Sequence, residues 1–119
     1  MSESVDINYL KNTYRNSRIR YVIQEVKKVI KGQLEEKTIC VKGEKKDIEE
    51  LIWRLKLSLK KVGGELIFAD QSTDTSKRAV YVFYTSKITQ DSKIPSKNAV
   101  VIIEDSRGFI GECERVEIK

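Results

Sequence analysis

Two amphipathic stripes constrain this chain more than any other feature of its sequence. Ile19, Val22, Ile23, Val26, Val29 and Ile30 recur at helical spacing, and so do Ile48, Leu51, Ile52, Leu55, Leu59 and Val62. Each set lines one face of a 3.6-residue helix, and that face must be buried against another element. Asn16 or Ser17 suits the cap of the first helix. Gly32 follows it, where helices commonly end in a left-handed residue. The second helix is predicted from about Lys46 to Val62 and is stopped by Gly63 and Gly64.

Between and after these stripes lie short segments of strand character. Lys37–Lys42 puts Ile39 and Val41 on one face and Thr38 and Cys40 on the other, and Gly43 stops it. That pattern predicts a strand, as do Glu65–Asp70 and Ala79–Thr85. A short first strand within Val5–Thr13 is a weaker expectation. Gln71–Arg78 is too long for a tight turn and is expected to project as an arm. After the polar stretch Ser86–Asn98, Ala99–Ile103 and Phe109–Ile118 flank Asp105-Ser106-Arg107-Gly108. The spacing predicts a hairpin with Gly108 at a positive-φ position. The expected fold is α+β, with two helices packed on one face of a mixed β-sheet and an added C-terminal β-hairpin. At 119 residues the chain is expected to form one domain. Residues 1–85 would be its α/β core, 86–98 a loop and 99–119 the hairpin.

Trp53 and Leu57 fall nearly opposite the apolar stripe of the second helix. An indole and a leucine there need a cover. A twofold dimer interface and the C-terminal hairpin of the same chain are the two readings.

Composition narrows the chemistry. The chain has no histidine, which excludes a Ser-His-Asp triad, a His-ligated metal and an imidazole pH switch. Cys40 and Cys113 are its only cysteines, too few for a metal cluster. Both sit in apolar runs and are expected as buried, reduced thiols, with a Cys40–Cys113 bridge as the alternative. Asp70, Asp74, Glu104 and Asp105 leave a small metal-dependent nuclease as a minority reading, with Asp70 at a strand end and Asp74 in the next loop the best candidates. No lysine, however, stands at the usual short spacing behind a second acid. No catalytic residue, metal or cofactor is therefore expected. The N-terminus has no basic start and no apolar stretch, and no run is long enough to span a bilayer, so a cytoplasmic protein is expected. Sixteen Lys, 12 Glu and 14 Ile against four Gln is a composition seen in heat-adapted proteins.

The net charge is +5, and the densest basic stretch runs from Lys11 to Lys31. Lys11, Arg15, Arg18, Arg20, Lys27, Lys28 and Lys31 stand there against Glu25 alone, with Tyr9, Tyr14 and Tyr21 in or beside it. Cations interleaved with tyrosines suit a phosphate backbone and stacked bases. Residues 98–119 are instead acidic, with Glu104, Asp105, Glu112, Glu114 and Glu117. Two functions follow as expectations. One is a non-enzymatic protein that binds DNA or RNA through the basic stretch that holds Lys11, Arg15, Arg18 and Arg20, with little sequence preference. The other is a protein-interaction or regulatory module working through Trp53, Leu57 and the acidic C-terminal hairpin.

The helix segment Arg20-Tyr21-Val22-Ile23, the strand Ile39-Cys40-Val41-Lys42, the run Lys45-Lys46-Asp47-Ile48 and the arm Gln71–Arg78 lie in the order strand, helix, strand, helix, strand, strand. Over residues 17–85 this resembles the Alba superfamily of small archaeal chromatin and RNA-binding proteins. The resemblance implies a homodimer on double-stranded nucleic acid. It also implies contacts from Arg15 and Asn16 before the first helix, Lys45 and Lys46 before the second, and Lys77 and Arg78 on the arm.

Overall fold

A computed structural model describes residues 6–89, 94–95 and 98–118. In chain order the elements are α1 (Ile7–Ile30), β1 (Lys37–Gly43), α2 (Lys45–Lys61), β2 (Leu66–Phe68), β3 (Val80–Tyr84), β4 (Ala99–Ile103) and β5 (Glu114–Ile118), with a short 3-10 turn at Thr85–Lys87. The strands form one sheet in the order β2-β3-β4-β1-β5. Every neighbouring pair is parallel.

The helices pack on one face of this sheet. Their stripes meet Ile39, Val41, Val80, Val82, Ala99, Val101, Ile103, Val116 and Ile118 in one cluster. The other face carries Cys40, Tyr81, Phe83, Val100 and Ile102. It is closed by loop side chains, among them Ala69, Ala79, Ile88, Ile94 and Phe109. β3 and β4 are thus apolar along nearly their whole length because both of their faces are buried.

The sheet is all-parallel where a mixed one was expected. The segments after β2, β3 and β4 are long enough to cross over the second face and re-enter at the same end, so no strand need turn back. There is also no C-terminal hairpin. β4 and β5 lie on opposite sides of β1, each in register with it: Cys40 stands beside Ile102 on one side and Arg115 on the other. Gly108 is not a positive-φ position; among the described residues only Gly32 and Gly63 are, one just beyond each helix. Those two helix stops agree with the sequence reading.

The start of the chain differs as well. Residues 7–13 are helix, not strand (Val5 lies outside the described residues), and Asn16 and Ser17 are inside α1 rather than at its cap. Asp6 caps α1 instead, its carboxylate accepting from the backbone N–H of Asn8 at 2.9 Å and of Tyr9 at 3.4 Å. No apolar stripe announced this first half because nothing lies beneath it. The buried residues of α1 begin at Ile19.

The arm does not project as expected. Asn98 donates to the Thr75 carbonyl at 3.0 Å and the Tyr81 hydroxyl donates to that of Lys77. These bonds tie Thr75 and Lys77 back to the sheet, while Ala69 and Ala79 at the two ends pack on its second face.

Cys40 and Cys113 are joined in a disulfide, with Cα atoms 5.9 Å apart. The expected free thiols are therefore corrected. Cys40 points to the second face of β1, and the segment that crosses that face brings Cys113 onto it just before β5 begins.

A polar cluster fastens α1 to the amino ends of β1 and β5. Lys28 lies 2.7 Å and Lys37 3.2 Å from the Glu25 carboxylate, and Lys37 also lies 3.2 Å from Glu114. The Tyr21 hydroxyl donates to Glu114 at 2.6 Å. Hydrogen bonds from Lys28 first, and from Lys37, outweigh burial and hold the Glu25 carboxyl below the usual range. A depressed carboxylate stabilises the fold above its unfolded pKa, near 4.5, and that stability is lost as pH falls through the folded value. Glu25→Gln is therefore expected to cost about 1–2 kcal/mol at neutral pH. The cost should shrink steadily below pH 4.5, which chemical unfolding across that range would measure. A cost equal at pH 7 and at pH 3 would mean that the ion pairs do not hold the carboxylate.

Candidate functional site

α1 has 24 residues and is about 36 Å long, whereas the strands of five to seven residues span about 17–23 Å. The helix runs antiparallel to β1, so its first half overhangs the carboxyl ends of the strands. The stripe that buries Ile19, Val22 and Val26 continues into this overhang at the same helical positions, four, seven, eight and eleven residues before Ile19. The residues there are Arg15, Asn12, Lys11 and Asn8. The core face of one helix thus turns from apolar to polar and cationic where the sheet ends.

These four residues face the ends of β1 and β5 and the first turn of α2. Together they enclose a cleft of about 780 Å³ lined also by Lys42, Gly43, Glu44, Lys46, Asp47, Glu117 and Ile118. Its shoulder on the β5 side is formed by Leu10, Lys11, Tyr14 and Glu117. Arg15 spans the cleft floor, with its guanidinium 3.2 Å from Asp47 and its Nε 4.0 Å from Glu50. The Asp47 side chain is only 5% exposed, and the enclosed Arg15 Nε has no hydrogen-bond acceptor among the described residues. Arg15 therefore pins α1 to α2. Arg54 adds a second tie, donating to Asn16 at 3.1 Å. Lys46 lies 3.9 Å from Glu44, and both are well exposed, so that pair contributes little to stability.

The fold brings together three of the expected contact residues, Lys11, Arg15 and Lys46, and scatters the rest. Lys45 is exposed at the first residue of α2 but does not line the cleft. The Arg18 guanidinium lies over the Tyr14 ring, 4.9 Å from its centre. Arg20 is exposed and about 140° around α1 from Arg15. Lys77 and Arg78 come just before the amino end of β3, and Lys77 pairs with Glu65. They stand a full strand length from the cleft, at the opposite end of the sheet. Lys42, Asn8 and Asn12 are lining residues that sequence reasoning missed. Lys42 could have been found, since it is the penultimate residue of a strand that runs straight into a helix. Asn8 and Asn12 become visible only once residues 7–13 are known to be helical.

The charges are sorted between the two sides of the molecule. The two helices hold 12 of the 23 Lys and Arg but only four of the 18 Asp and Glu. Two of those four acids, Glu25 and Asp47, are buried and paired. The outer helical surface thus carries Glu49 and the half-buried Glu50 against nine cations, since Lys11, Arg15 and Lys46 line the cleft. Trp53 and Leu57 stand on it, 64% and 45% exposed, and are not covered by the segment 99–118. Phe68 of edge strand β2 is 49% exposed beside them in the fold, with the Lys56 ammonium 5.1 Å from its ring centre.

The carboxylates considered for metal chemistry serve their own loops. Asp70 accepts from the Ser72 hydroxyl at 2.6 Å and backbone N–H at 2.8 Å, which holds its carboxyl below the usual range. Asp105 accepts from Thr85 and Ser86, and Glu104 from the Phe109 backbone N–H. Among the described residues no cluster of three or more Cys, Asp or Glu is arranged to hold a metal ion. No family model, curated protein or solved structure matches the chain.

Proposed function

We propose that the protein binds nucleic acid without catalysis, laying the outer face of its helical layer along the phosphate backbone. The observation that carries this reading is the segregation of charge: twelve cations on two adjacent helices, nine of them outside the cleft, with Glu49 and the half-buried Glu50 the only acids there that are not buried. Phosphate contacts of this kind position a protein without reading sequence. The resemblance to Alba proteins points the same way, although the helical start of the chain departs from the strand-first order on which it rests.

The same reading makes the protein a homodimer through Trp53 and Leu57. Their exposure on the cationic face is the support, since a second copy would cover them and double the basic surface. Within the described residues no helix is long and apolar enough to cross a membrane. A cytoplasmic location is compatible with the disulfide in a heat-adapted organism, where intracellular disulfides are common.

Binding to a random DNA duplex and to a random RNA duplex, titrated against salt, tests the proposal. Affinity is expected to fall steeply, with a slope of about −0.9 in log–log terms for each DNA phosphate neutralised. Arg20→Ala with Lys27→Ala should make that slope shallower by about two, and Lys77→Ala with Arg78→Ala, at the far end, should leave it unchanged. Trp53→Ala with Leu57→Glu should give a folded monomer with a shallower slope. Salt-independent binding, or none at low salt, would sink the reading and leave the protein-interaction alternative.

A further inference from the structure

The cleft beyond the carboxyl ends of β1 and β5 differs from the flat helical face in shape and in chemistry. Open parallel sheets bind small ligands in this place, and about 780 Å³ falls within the roughly 300–1,000 Å³ usual for such sites. Its wall of Asn8, Lys11, Asn12, Lys42 and Lys46 supplies two ammonium groups from separate helices, a third from a strand, and two amides. Of the three acids in the lining, Asp47 is paired with Arg15 and Glu44 lies 3.9 Å from Lys46, so with Glu117 the lining holds three carboxylates against four cations. Lys11 and Lys42 form no ion pair among the described residues. On the β5 side the wall changes to Leu10 and Tyr14. Arg18 lies over the Tyr14 ring, which remains 46% exposed. A pocket with a net positive lining thus adjoins an aromatic and apolar ledge, with Lys11 and Glu117 shared between them.

We propose that this cleft is a specific site for a nucleoside monophosphate unit, with its phosphate between Lys11 and Lys42 and its base on the Tyr14–Leu10 ledge. A phosphate without a base would leave the ledge empty, and a base without a phosphate would leave both ammonium groups unanswered. Asn8 and Asn12 offer donors and acceptors between the two for the sugar hydroxyls. The unit can come from a free nucleotide or from the phosphorylated end of a strand. The site is separate from the helical face and does not depend on duplex binding.

Calorimetric titration with AMP, adenosine and inorganic phosphate tests the pairing of the two halves. Anisotropy with short single strands ending in a 5′ phosphate, a 3′ phosphate or hydroxyls only identifies the source. AMP is expected to bind at least about tenfold more tightly than adenosine or phosphate. Lys11→Ala with Lys42→Ala should abolish that preference, and Tyr14→Ala should cost AMP about fivefold or more while sparing inorganic phosphate. Lys11 and Lys42 are exposed, so these variants should fold, as thermal melting will verify. Tighter binding of a phosphorylated end assigns the site to strand termini, and AMP binding without end preference assigns it to a free nucleotide. If AMP binds no better than adenosine and end phosphates make no difference, the proposal is wrong. Salt-dependent duplex binding in the same preparation would then still stand or fall by itself.

Discussion

Reduction of the Cys40–Cys113 bond is expected to lower the free energy of unfolding by about 4 kcal/mol, since the bond closes a loop of 73 residues that the unfolded chain would otherwise explore freely. For a domain of this size that is a fall of roughly 15 °C in Tm. The physical role is local as well. β5 is an edge strand that pairs only with β1, and Cys113 anchors the residue before it to the second face of that same strand. Cys113→Ser is the cleaner variant, because Cys40 is completely buried and a serine there would also bury a hydroxyl. Denaturant unfolding with and without a reductant is the measurement. The wild type should lose about 4 kcal/mol on reduction and Cys113→Ser nothing further. β5 amides should exchange first in the reduced protein. A wild-type midpoint that ignores the reductant would show that the bond does not stabilise the native chain.

Arg15→Ala is expected to destabilise the protein by about 3 kcal/mol, because it strands a nearly enclosed carboxylate. Removing one partner of a buried ion pair typically costs about 3–5 kcal/mol, and the figure belongs at the lower end here. The reason is that Arg15 keeps 25% of its side-chain surface exposed while Asp47 keeps 5%. Arg15→Met with Asp47→Leu removes both charges and should recover most of the loss. Arg20→Ala, on the exposed face of the same helix, should fall within about 0.5 kcal/mol of the wild type. Unfolding of Arg15→Met, of Asp47→Leu and of their double variant gives the coupling directly. Effects that simply add would mean that solvent, not Asp47, compensates Arg15. The expected result also bears on function. Charge and the Alba resemblance both make Arg15 a candidate phosphate contact, but its guanidinium is hydrogen-bonded to Asp47. Weaker binding by Arg15→Ala must therefore be compared with its stability before a phosphate is assigned to it.

The sequence by itself determined the elements whose burial has a period. Both helical stripes and their glycine stops at Gly32 and Gly63 were legible because one-sided burial writes the period of the backbone into the side chains, and strands near β1, β2, β3 and β4 were legible as short alternating or apolar runs between turn residues. It also determined the excess of cations on the helices, since charge is a property of composition and needs no fold. The tertiary structure decided what depends on partners distant in the chain. The direction of a strand leaves no period, so the parallel sheet and the separation of β4 from β5 by β1 were not readable from Ala99–Ile118. The long apolar runs Val80–Tyr84 and Ala99–Ile103 hinted at two buried faces but not at what would cover the second. The first half of α1 was misread because it overhangs the sheet and has no core to face. For the same reason the cleft was hidden: Lys11, Arg15, Lys42 and Lys46 come from three elements, and only the packing of α1 and α2 across the end of β1 brings them together. Lys77 and Arg78 look like their equals in the sequence. The parallel sheet sends them to its other end, because every strand that begins near them finishes at the cleft side.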